Sequence, residues 1–205
     1  WSDGATVTVN GEKRLVKENG VFYLAEREFA DGDEIVLTLQ PKSQTQKSSD
    51  GGAYFTRGPL VFALGLSRKE RKVPAPDGDG TLCNYDYTAC DTWNYCVKGK
   101  ECSEKEMRLV RGDLSVRNPW SLTCAPLRLF VPAHRLAGWE LLHKTEITQC
   151  RNLYEKEYCR KTGDFIFTPP LPEKISESDV GEKETISLVP MGAAKLRVTV
   201  FPALK

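Results

Sequence analysis

The stretch RGPLVFAL, residues Arg57–Leu64, contains the longest apolar run of the chain. In an extended strand, Leu60 and Phe62 face one side while Val61 and Ala63 face the other. A run that is apolar on both sides is typical of a central strand covered on both faces. The proline fits the start of such a strand, where its missing N–H is tolerated. None of these side chains supports acid–base, nucleophilic or metal chemistry, so the stretch predicts a structural element.

Turn signals around this stretch predict antiparallel pairing. Asn10-Gly11, Asn19-Gly20 and Asp31-Gly32 follow one another at intervals of about ten residues, which is typical of a meander of hairpins. The polar residues 41–52 predict an exposed loop, and residues 149–159 are the one segment with helical character. The sequence therefore predicts an all-β fold, an antiparallel β-sandwich of jelly-roll type, built as one sandwich or as two small sandwich modules.

The length of 205 residues fits one large all-β domain or two small ones. The charged run at 68–72 is followed by glycines and prolines, which favours a division of the chain between Leu66 and Thr81. We predict a first β-sandwich portion at 1–66, a linker or surface loop at 67–80, and a second portion with cysteine-rich loops at 81–205.

The charge of the chain is balanced, with 29 basic and 28 acidic residues and a net charge of +1. This balance predicts neither nucleic acid nor an anionic membrane surface as a partner. The longest apolar run is also much shorter than a bilayer span.

The seven cysteines all lie between residues 83 and 159. They contain no Cys-x-x-Cys pair, which disfavours a zinc ribbon or a thioredoxin-like motif. We interpret them as disulfide candidates and predict an extracellular or other oxidising compartment, with scattered free thiols as the alternative. Because the number is odd, at least one thiol is free or pairs with another chain. The candidates are Cys83, Cys90, Cys96, Cys102, Cys124, Cys150 and Cys159.

No catalytic or metal site is predicted. His134 and His143 have no motif around them, no serine lies in a Gly-x-Ser-x-Gly elbow, and the acidic residues fall mainly in turns and charged runs. Aromatic side chains could instead form a carbohydrate-stacking platform, or they could cover the edge of a core. The main candidates are Trp93, Tyr95, Trp120 and Trp139, with Tyr85 and Tyr87 nearby.

Several segments, in the same order, resemble one family. The RGPLV segment resembles the signature strand in the non-catalytic β-sandwich region of the β-L-arabinofuranosidase family, glycoside hydrolase family 127 and relatives. The further matching segments are VTVNG at 7–11, REFADGD at 27–33, WNY at 93–95, NPW at 118–120, Trp139, and the closing segments at 188–192 and 196–202.

The resemblance implies a pair of β-sandwich modules that normally follow an (α/α)6-barrel catalytic domain. In that family the catalytic carboxylate and the zinc-bound cysteine nucleophile belong to the barrel, and no residue of this chain matches those motifs. The resemblance therefore implies no catalytic residue and no cofactor here, the zinc being held by the absent domain. It implies an accessory region that braces the barrel and leaves the enzymatic status of the chain open. The alternatives are an independent carbohydrate-binding module and a structural module of a larger assembly.

The resemblance also implies a partner. The family residue that matches Trp1 ends a strand, so we expect the chain to be a fragment that begins just after one. The expected partner is the upstream catalytic domain, or a companion chain that supplies an N-terminal strand and covers the open sheet edge. A glycan is a further candidate partner. The cysteine density departs from the family pattern, which is a second reason to expect an oxidising compartment.

Overall fold

The computed structural model describes residues 2–14, 28–74, 83–113, 118, 120–152 and 154–204. These residues form strands and three short 3-10 turns, at Gly99–Glu101, Glu177–Asp179 and Met191–Ala193, and none of their helices is long and apolar enough to cross a membrane. The all-β prediction is confirmed. The strands are β1 Ser2–Val9, β2 Glu12–Arg14, β3 Ile35–Pro41, β4 Ser43–Lys47, β5 Ala53–Arg57, β6 Leu60–Gly65, β7 Arg68–Pro74, β8 Cys83–Ala89, β9 Tyr95–Lys98, β10 Arg108–Arg111, β11 Leu127–Leu136, β12 Leu142–Asn152, β13 Glu157–Phe167, β14 Val180–Pro190, β15 Arg197–Val198 and β16 Ala203–Leu204.

A main sheet of nine strands contains the predicted central strand, β6. Its order is β16-β9-β11-β14-β6-β5-β4, with β10 also paired to β11 and β15 also paired to β6. All pairs are antiparallel except β16 with β9. β6 lies between β14 and β5 and also pairs with β15. The prediction of an internal strand at this position is confirmed.

Both faces of β6 are covered, as its sequence predicts. Phe62 and Leu64 belong to the main hydrophobic core, and Phe62 is completely buried. On the other face, a Cβ added at Gly65 would lie 2.3 Å from Leu122 Cδ1 and 3.0 Å from Ala194 Cβ. Glycine is therefore needed at this position because a second layer approaches the backbone.

The closing segment, Leu196–Leu204, connects strands that are far apart in sequence. The N–H of Leu66 donates to the Leu196 carbonyl at 2.9 Å, Ala53 and Phe201 exchange two backbone hydrogen bonds of 2.8 Å, and Val97 N–H donates to Pro202 O at 2.9 Å. The segment thus contacts β6, β5 and β9 in turn. Its Phe201 is fully buried and meets Phe55 edge-on, with the ring centroids 5.9 Å apart.

The main core takes residues from both sides of the predicted division at 67–80. Phe55 and Phe62 share one cluster with Val97, Leu129 and Leu188. The division into portions 1–66 and 81–205 stays a prediction. Within 67–80, however, residues 68–74 form β7, which pairs with β8 along its whole length, where a linker or loop was expected. The charged side chains at 69–72 of β7 are exposed, while the backbone of β7 pairs with β8.

Three smaller sheets lie beside the main sheet: β2-β1-β3, β7-β8 and β12-β13. The β1–β2 hairpin turns at Asn10 and Gly11, whose φ angles of 52° and 80° confirm the predicted positive-φ turn. Gly32, with φ 90°, confirms that a turn forms at Asp31-Gly32. The Asn19-Gly20 signal lies outside the described residues.

Two local predictions are wrong. The polar stretch 41–52 contains strand β4, which pairs in full with β5 and buries Ser43. The described residues of 149–159 are not helical, since they form the end of the β12–β13 hairpin, where Lys156 has a φ of 54°. In both places backbone pairing with a neighbouring strand determines the structure, whereas side-chain propensity is a weak guide.

Candidate docking interface

A groove of about 170 Å³ lies between the β7–β8 and β12–β13 hairpins and the closing segment. Leu66, Trp93, Leu196 and Val198 contribute apolar atoms from the side of the main core, and Tyr87 and Phe167 contribute rings from the two hairpins. A groove of this volume accommodates a side chain of a partner rather than a large ligand, since drug-sized pockets begin near ~300 Å³.

Large apolar side chains are exposed on both hairpins. Tyr85 is 49% exposed, Leu142 44%, Ile166 50% and Phe167 39%. Within the described residues, β7 pairs with β8 alone and β12 with β13 alone. A two-stranded hairpin in water is marginally stable by itself, and adjoining exposed apolar side chains are typical of contact surfaces.

The edge of the groove is cationic. The Arg68 guanidinium, which is ion-paired with Glu70, lies 5.0 Å from the centre of the Tyr87 ring, and Lys144 Nζ lies 5.6 Å from that of Phe167. Arg197 lines the groove and donates to the Ala194 carbonyl at 2.8 Å. The buried Nε of Arg68 has no hydrogen-bond partner among the described residues. These groups favour a partner that combines an apolar side chain with acceptors or carboxylates.

Two of the four candidate carbohydrate residues, Tyr95 and Trp139, are buried. Trp93 and Trp139 meet edge-on at 4.8 Å, and the buried Trp139 donates its Nε1–H to Pro170 O at 3.0 Å. Tyr95 is buried and donates to Glu184 Oε2 at 3.3 Å. Burial and the Glu184 carboxylate raise the pKa of Tyr95. Trp120 is 54% exposed. Burial of Tyr95 and Trp139 argues against ring stacking on a sugar by these two residues.

Tyr85 and Tyr87 present a more accessible aromatic pair. Their rings lie on the same face of β8, 6.4 Å apart between centroids and 12° from parallel. Tyrosine alternates with polar residues at 84–88, and this alternation predicts that the two tyrosines share one face of a strand.

Five of the seven predicted disulfide cysteines are described with their side chains, and all five are free thiols: Cys90, Cys96, Cys102, Cys124 and Cys159. The predicted disulfides are therefore not found among these five. Cys96 and Cys102 are buried, and burial raises the pKa of both thiols, that of Cys102 to about 11. Cys102 Sγ lies 3.5 Å from the Pro132 carbonyl. The side chains of Cys83 and Cys150 lie outside the described part of the chain.

The two histidines have different environments. His143 is exposed, with Nδ1 3.4 Å from Asp164 Oδ1. His134 is buried and contacts Glu101, which in turn contacts Lys183. Within the described residues, no three His, Cys, Asp or Glu side chains are placed to hold a metal ion.

Comparison with known proteins shows a fold similarity. No protein-family model and no curated protein sequence matches the chain. A solved glycoside hydrolase is similar with a TM-score of 0.50 and 13% identity, covering 100% of this chain and 26% of that one. The similarity shows the fold. It agrees with the sequence-based resemblance to one region of a glycoside hydrolase.

A second solved structure is a GH127 β-L-arabinofuranosidase from Geobacillus stearothermophilus T6, with a TM-score of 0.47 and 17% identity, covering 100% of this chain and 25% of that one. The chain thus spans about a quarter of the length of each of these two structures.

Proposed function

We propose that the chain is the non-catalytic β-sandwich region of a larger glycoside hydrolase, where it braces an (α/α)6-barrel catalytic domain. The observation that carries the proposal is the fold similarity, which covers 100% of this chain but 26% of the matched hydrolase. The sequence matches no catalytic or zinc-binding motif of the family, and the proposal assigns the family's zinc to the catalytic domain.

The bracing surface is the groove with its two hairpins. The main sheet has its own hydrophobic core, whereas Ile166 and Phe167 remain exposed on β13. An apolar side chain of the catalytic domain fills the groove, and acidic groups beside it meet Arg197 and Lys144. Such a contact would remove apolar surface from water and stabilise both hairpins.

The first test is the coding sequence upstream of Trp1. We expect it to encode a helical barrel with cysteine and glutamate zinc ligands. A reading frame that lacks such a domain on either side would overturn the proposal.

The second test is a binding experiment between this chain and the separately produced catalytic domain, followed by sedimentation velocity. We expect Ile166→Asp to weaken association at least tenfold, because a carboxylate would be desolvated against apolar atoms. The matched control is Tyr158→Asp, at the other end of β13, where the native ring is 64% exposed. An equal loss of affinity in both variants would contradict the role of the groove as the contact surface.

The second candidate function is an independent carbohydrate-binding module. The near-parallel, exposed rings of Tyr85 and Tyr87 favour it. A glycan array probed with the chain tests it: binding that is lost in Tyr85→Ala is expected, and binding to no glycan would rule this candidate out. A third candidate, a structural module in an assembly without catalysis, predicts that the full-length protein hydrolyses no arabinofuranoside.

The proposed location is extracellular or another oxidising compartment, supported by the density of cysteines. Alkylation of the native secreted protein, followed by mass spectrometry, tests it. We expect Cys96 and Cys102 to remain reduced, because both are packed in the interior, while exposed Cys90 and Cys124 are the ones available for pairing. Labelling of all the exposed cysteines as free thiols would contradict this location.

A further inference from the structure

The strand β3 exposes apolar side chains on both of its faces. Ile35 and Leu37 are 48% and 47% exposed on one face, and Val36 is 42% exposed on the other. Val9 and Val7, the register partners of the first two on β1, are only 1% and 6% exposed. The cover over β1 therefore does not extend over β3.

β3 is also an edge strand that lacks charge. Among the described residues it pairs with β1 alone, at the side of the three-stranded sheet β2-β1-β3. Edge strands usually carry charges, prolines or bulges that discourage pairing with another chain. Residues 68–72 of the edge strand β7 are all charged, whereas residues 35–40 of β3 contain no charge and no proline. The edge of β3 is therefore suited to accept a further strand.

We propose that β3 is a self-association edge, at which two copies of this chain join their β3 strands in antiparallel orientation about a two-fold axis through Leu37. The axis is perpendicular to the sheet, so it pairs Leu37 with itself and Ile35 with Leu39 of the other copy. Two three-stranded sheets thereby become one continuous six-stranded sheet. This contact goes beyond the proposed bracing function and uses a different sheet from the groove.

The sequence of β3 favours this position of the axis over its neighbours. An axis one residue earlier would place Asp33 against Leu39. An axis one residue later would place Pro41 against Ile35. With the axis at Leu37, apolar residues meet apolar residues along the exposed face, and no two like charges lie opposite each other.

Charges at the two ends of β3 complement each other in the same arrangement. Glu34 precedes the strand and Lys42 follows it, and both are exposed. With the axis at Leu37, Glu34 of one copy lies diagonally across from Lys42 of the other, at the ~7–8 Å spacing that long side chains can span. Within one extended copy the two residues are ~26 Å apart, too far to meet. A second copy is therefore the occupant that this charge pattern fits.

The contact is small, so the association depends on protein concentration. β3 has 7 residues, whereas a standard protein–protein interface has roughly 20–30 residues on each side. The affinity comes from main-chain hydrogen bonds and from the apolar side chains that become covered. We expect a reversible dimer with a dissociation constant in the micromolar range.

The first test is sedimentation velocity of the 205-residue chain over a range of concentrations. We expect a monomer–dimer equilibrium that Leu37→Lys weakens at least tenfold, because two ammonium groups would meet at the axis. The matched control is Tyr158→Lys on β13, where the native ring is 64% exposed, and it should leave the equilibrium unchanged. A chain that stays monomeric at every concentration, or equal weakening in both variants, would overturn the proposal.

Charge reversal separates the contact from an effect on folding. Glu34→Lys and Lys42→Glu should each weaken the dimer, since each places like charges across the axis. The double variant should restore the dimer, because the reversed charges again complement each other between copies. Failure of the double variant to recover affinity would contradict the proposed pairing.

Disulfide cross-linking tests the axis itself. Directly opposite residues of antiparallel strands have Cα atoms ~4.5–5.5 Å apart, which a disulfide can span. We expect mild oxidation to convert Leu37→Cys into a covalent dimer that a reducing agent separates. Ile35→Cys is the control on the same face, since its two copies would lie ~13 Å apart. The wild-type chain, oxidised in parallel, shows the contribution of the native thiols.

Two outcomes of the cross-linking would overturn the proposal. A covalent dimer in both cysteine variants, or in neither, would contradict an axis at Leu37. A cross-link that forms in this chain but is absent from the longer polypeptide would show that another segment covers β3.

Discussion

The main sheet and the two long hairpins are built from similar strands but are stabilised differently. In β6, Phe62 and Ala63 are completely buried, and the strand has partners along both edges. In β13, Ile166 and Phe167 are half or nearly half exposed, and the strand pairs with β12 alone among the described residues. Backbone pairing is therefore common to both regions, whereas a shared hydrophobic core belongs to the main sheet.

This difference indicates where stability and where interaction reside. Side chains of the main sheet contribute to folding of the chain itself, because their apolar surface is already removed from water. Exposed apolar side chains of the hairpins contribute to binding, when a partner covers them. Substitutions in the two regions should consequently separate into effects on unfolding and effects on binding.

The largest effect is expected at the closing segment. Phe201→Ala removes a fully buried ring that contacts Phe55, and we expect it to lower the free energy of unfolding by about 3–5 kcal/mol. Urea denaturation followed by tryptophan fluorescence measures it. The control, Tyr158→Ala on β13, removes a ring that is 64% exposed and should change stability by less than ~0.5 kcal/mol. Equal losses in both variants would remove the distinction between the two regions.

The next effect tests close packing with the smallest possible addition. Gly65→Ala on β6 places a methyl group 2.3 Å from Leu122 Cδ1, so we expect a loss of about 1–3 kcal/mol. Gly163→Ala on β13 meets the Phe165 ring at 3.3 Å, on a hairpin where the ring can move, and should stay within ~0.5 kcal/mol of wild type. Thermal unfolding compares the stability of the two variants directly. A larger loss of stability in Gly163→Ala than in Gly65→Ala would contradict the close packing around β6.

A smaller effect on stability is expected from the ion pairs of Glu101, and it should depend on pH. Partial burial acts to raise the pKa of Glu101, but hydrogen bonds from His134 and Lys183 outweigh it and hold that pKa below its ordinary value of 4.5. The stabilisation by Glu101 is therefore present above about pH 4.5 and is lost as pH falls through the depressed pKa. We expect Glu101→Gln to lower the free energy of unfolding by about 1 kcal/mol at pH 7 and to leave it unchanged at pH 2. The expected loss is small because the Glu101 side chain is 28% exposed and solvent screens its charge.

The corresponding hairpin pair serves as the control for this prediction. Arg160 Nε and Glu146 Oε1 are 2.9 Å apart, but the Arg160 side chain is 81% exposed. Glu146→Gln should change the free energy of unfolding by ~0–0.5 kcal/mol at either pH. A pH-dependent loss there as large as that of Glu101→Gln would show that burial does not distinguish the two pairs.

The smallest effect on folding is expected in the groove. Ile166→Thr keeps the β-branched shape that suits a strand, and we expect the free energy of unfolding of the chain alone to change by less than ~0.5 kcal/mol. Urea denaturation of the chain alone, set against its affinity for the catalytic domain, separates the two roles. Loss of stability without loss of affinity would place Ile166 in the core rather than in the interface.

Sequence patterns predicted those features that depend on a few adjacent residues. The apolar run at Leu60–Leu64 predicted a doubly covered strand, and Asn10-Gly11 predicted a positive-φ turn; both are confirmed. The polar strand β4 was missed, because its pairing with β5 is made by backbone groups that every residue possesses. The aromatic candidates were identified by residue type, which does not distinguish the buried Trp139 from the exposed Trp120.

The sequence by itself determined the all-β class, the central strand and the lack of a recognisable catalytic motif, because these follow from the local order of residue types. The tertiary structure alone decided that the closing segment joins β6, β5 and β9, that the thiols of Cys96 and Cys102 are buried, and that two hairpins enclose a groove. It also decided that His134 meets Glu101, 33 residues away in the chain. These features depend on contacts between residues distant in sequence, and side-chain burial and pairing arise only when the strands assemble.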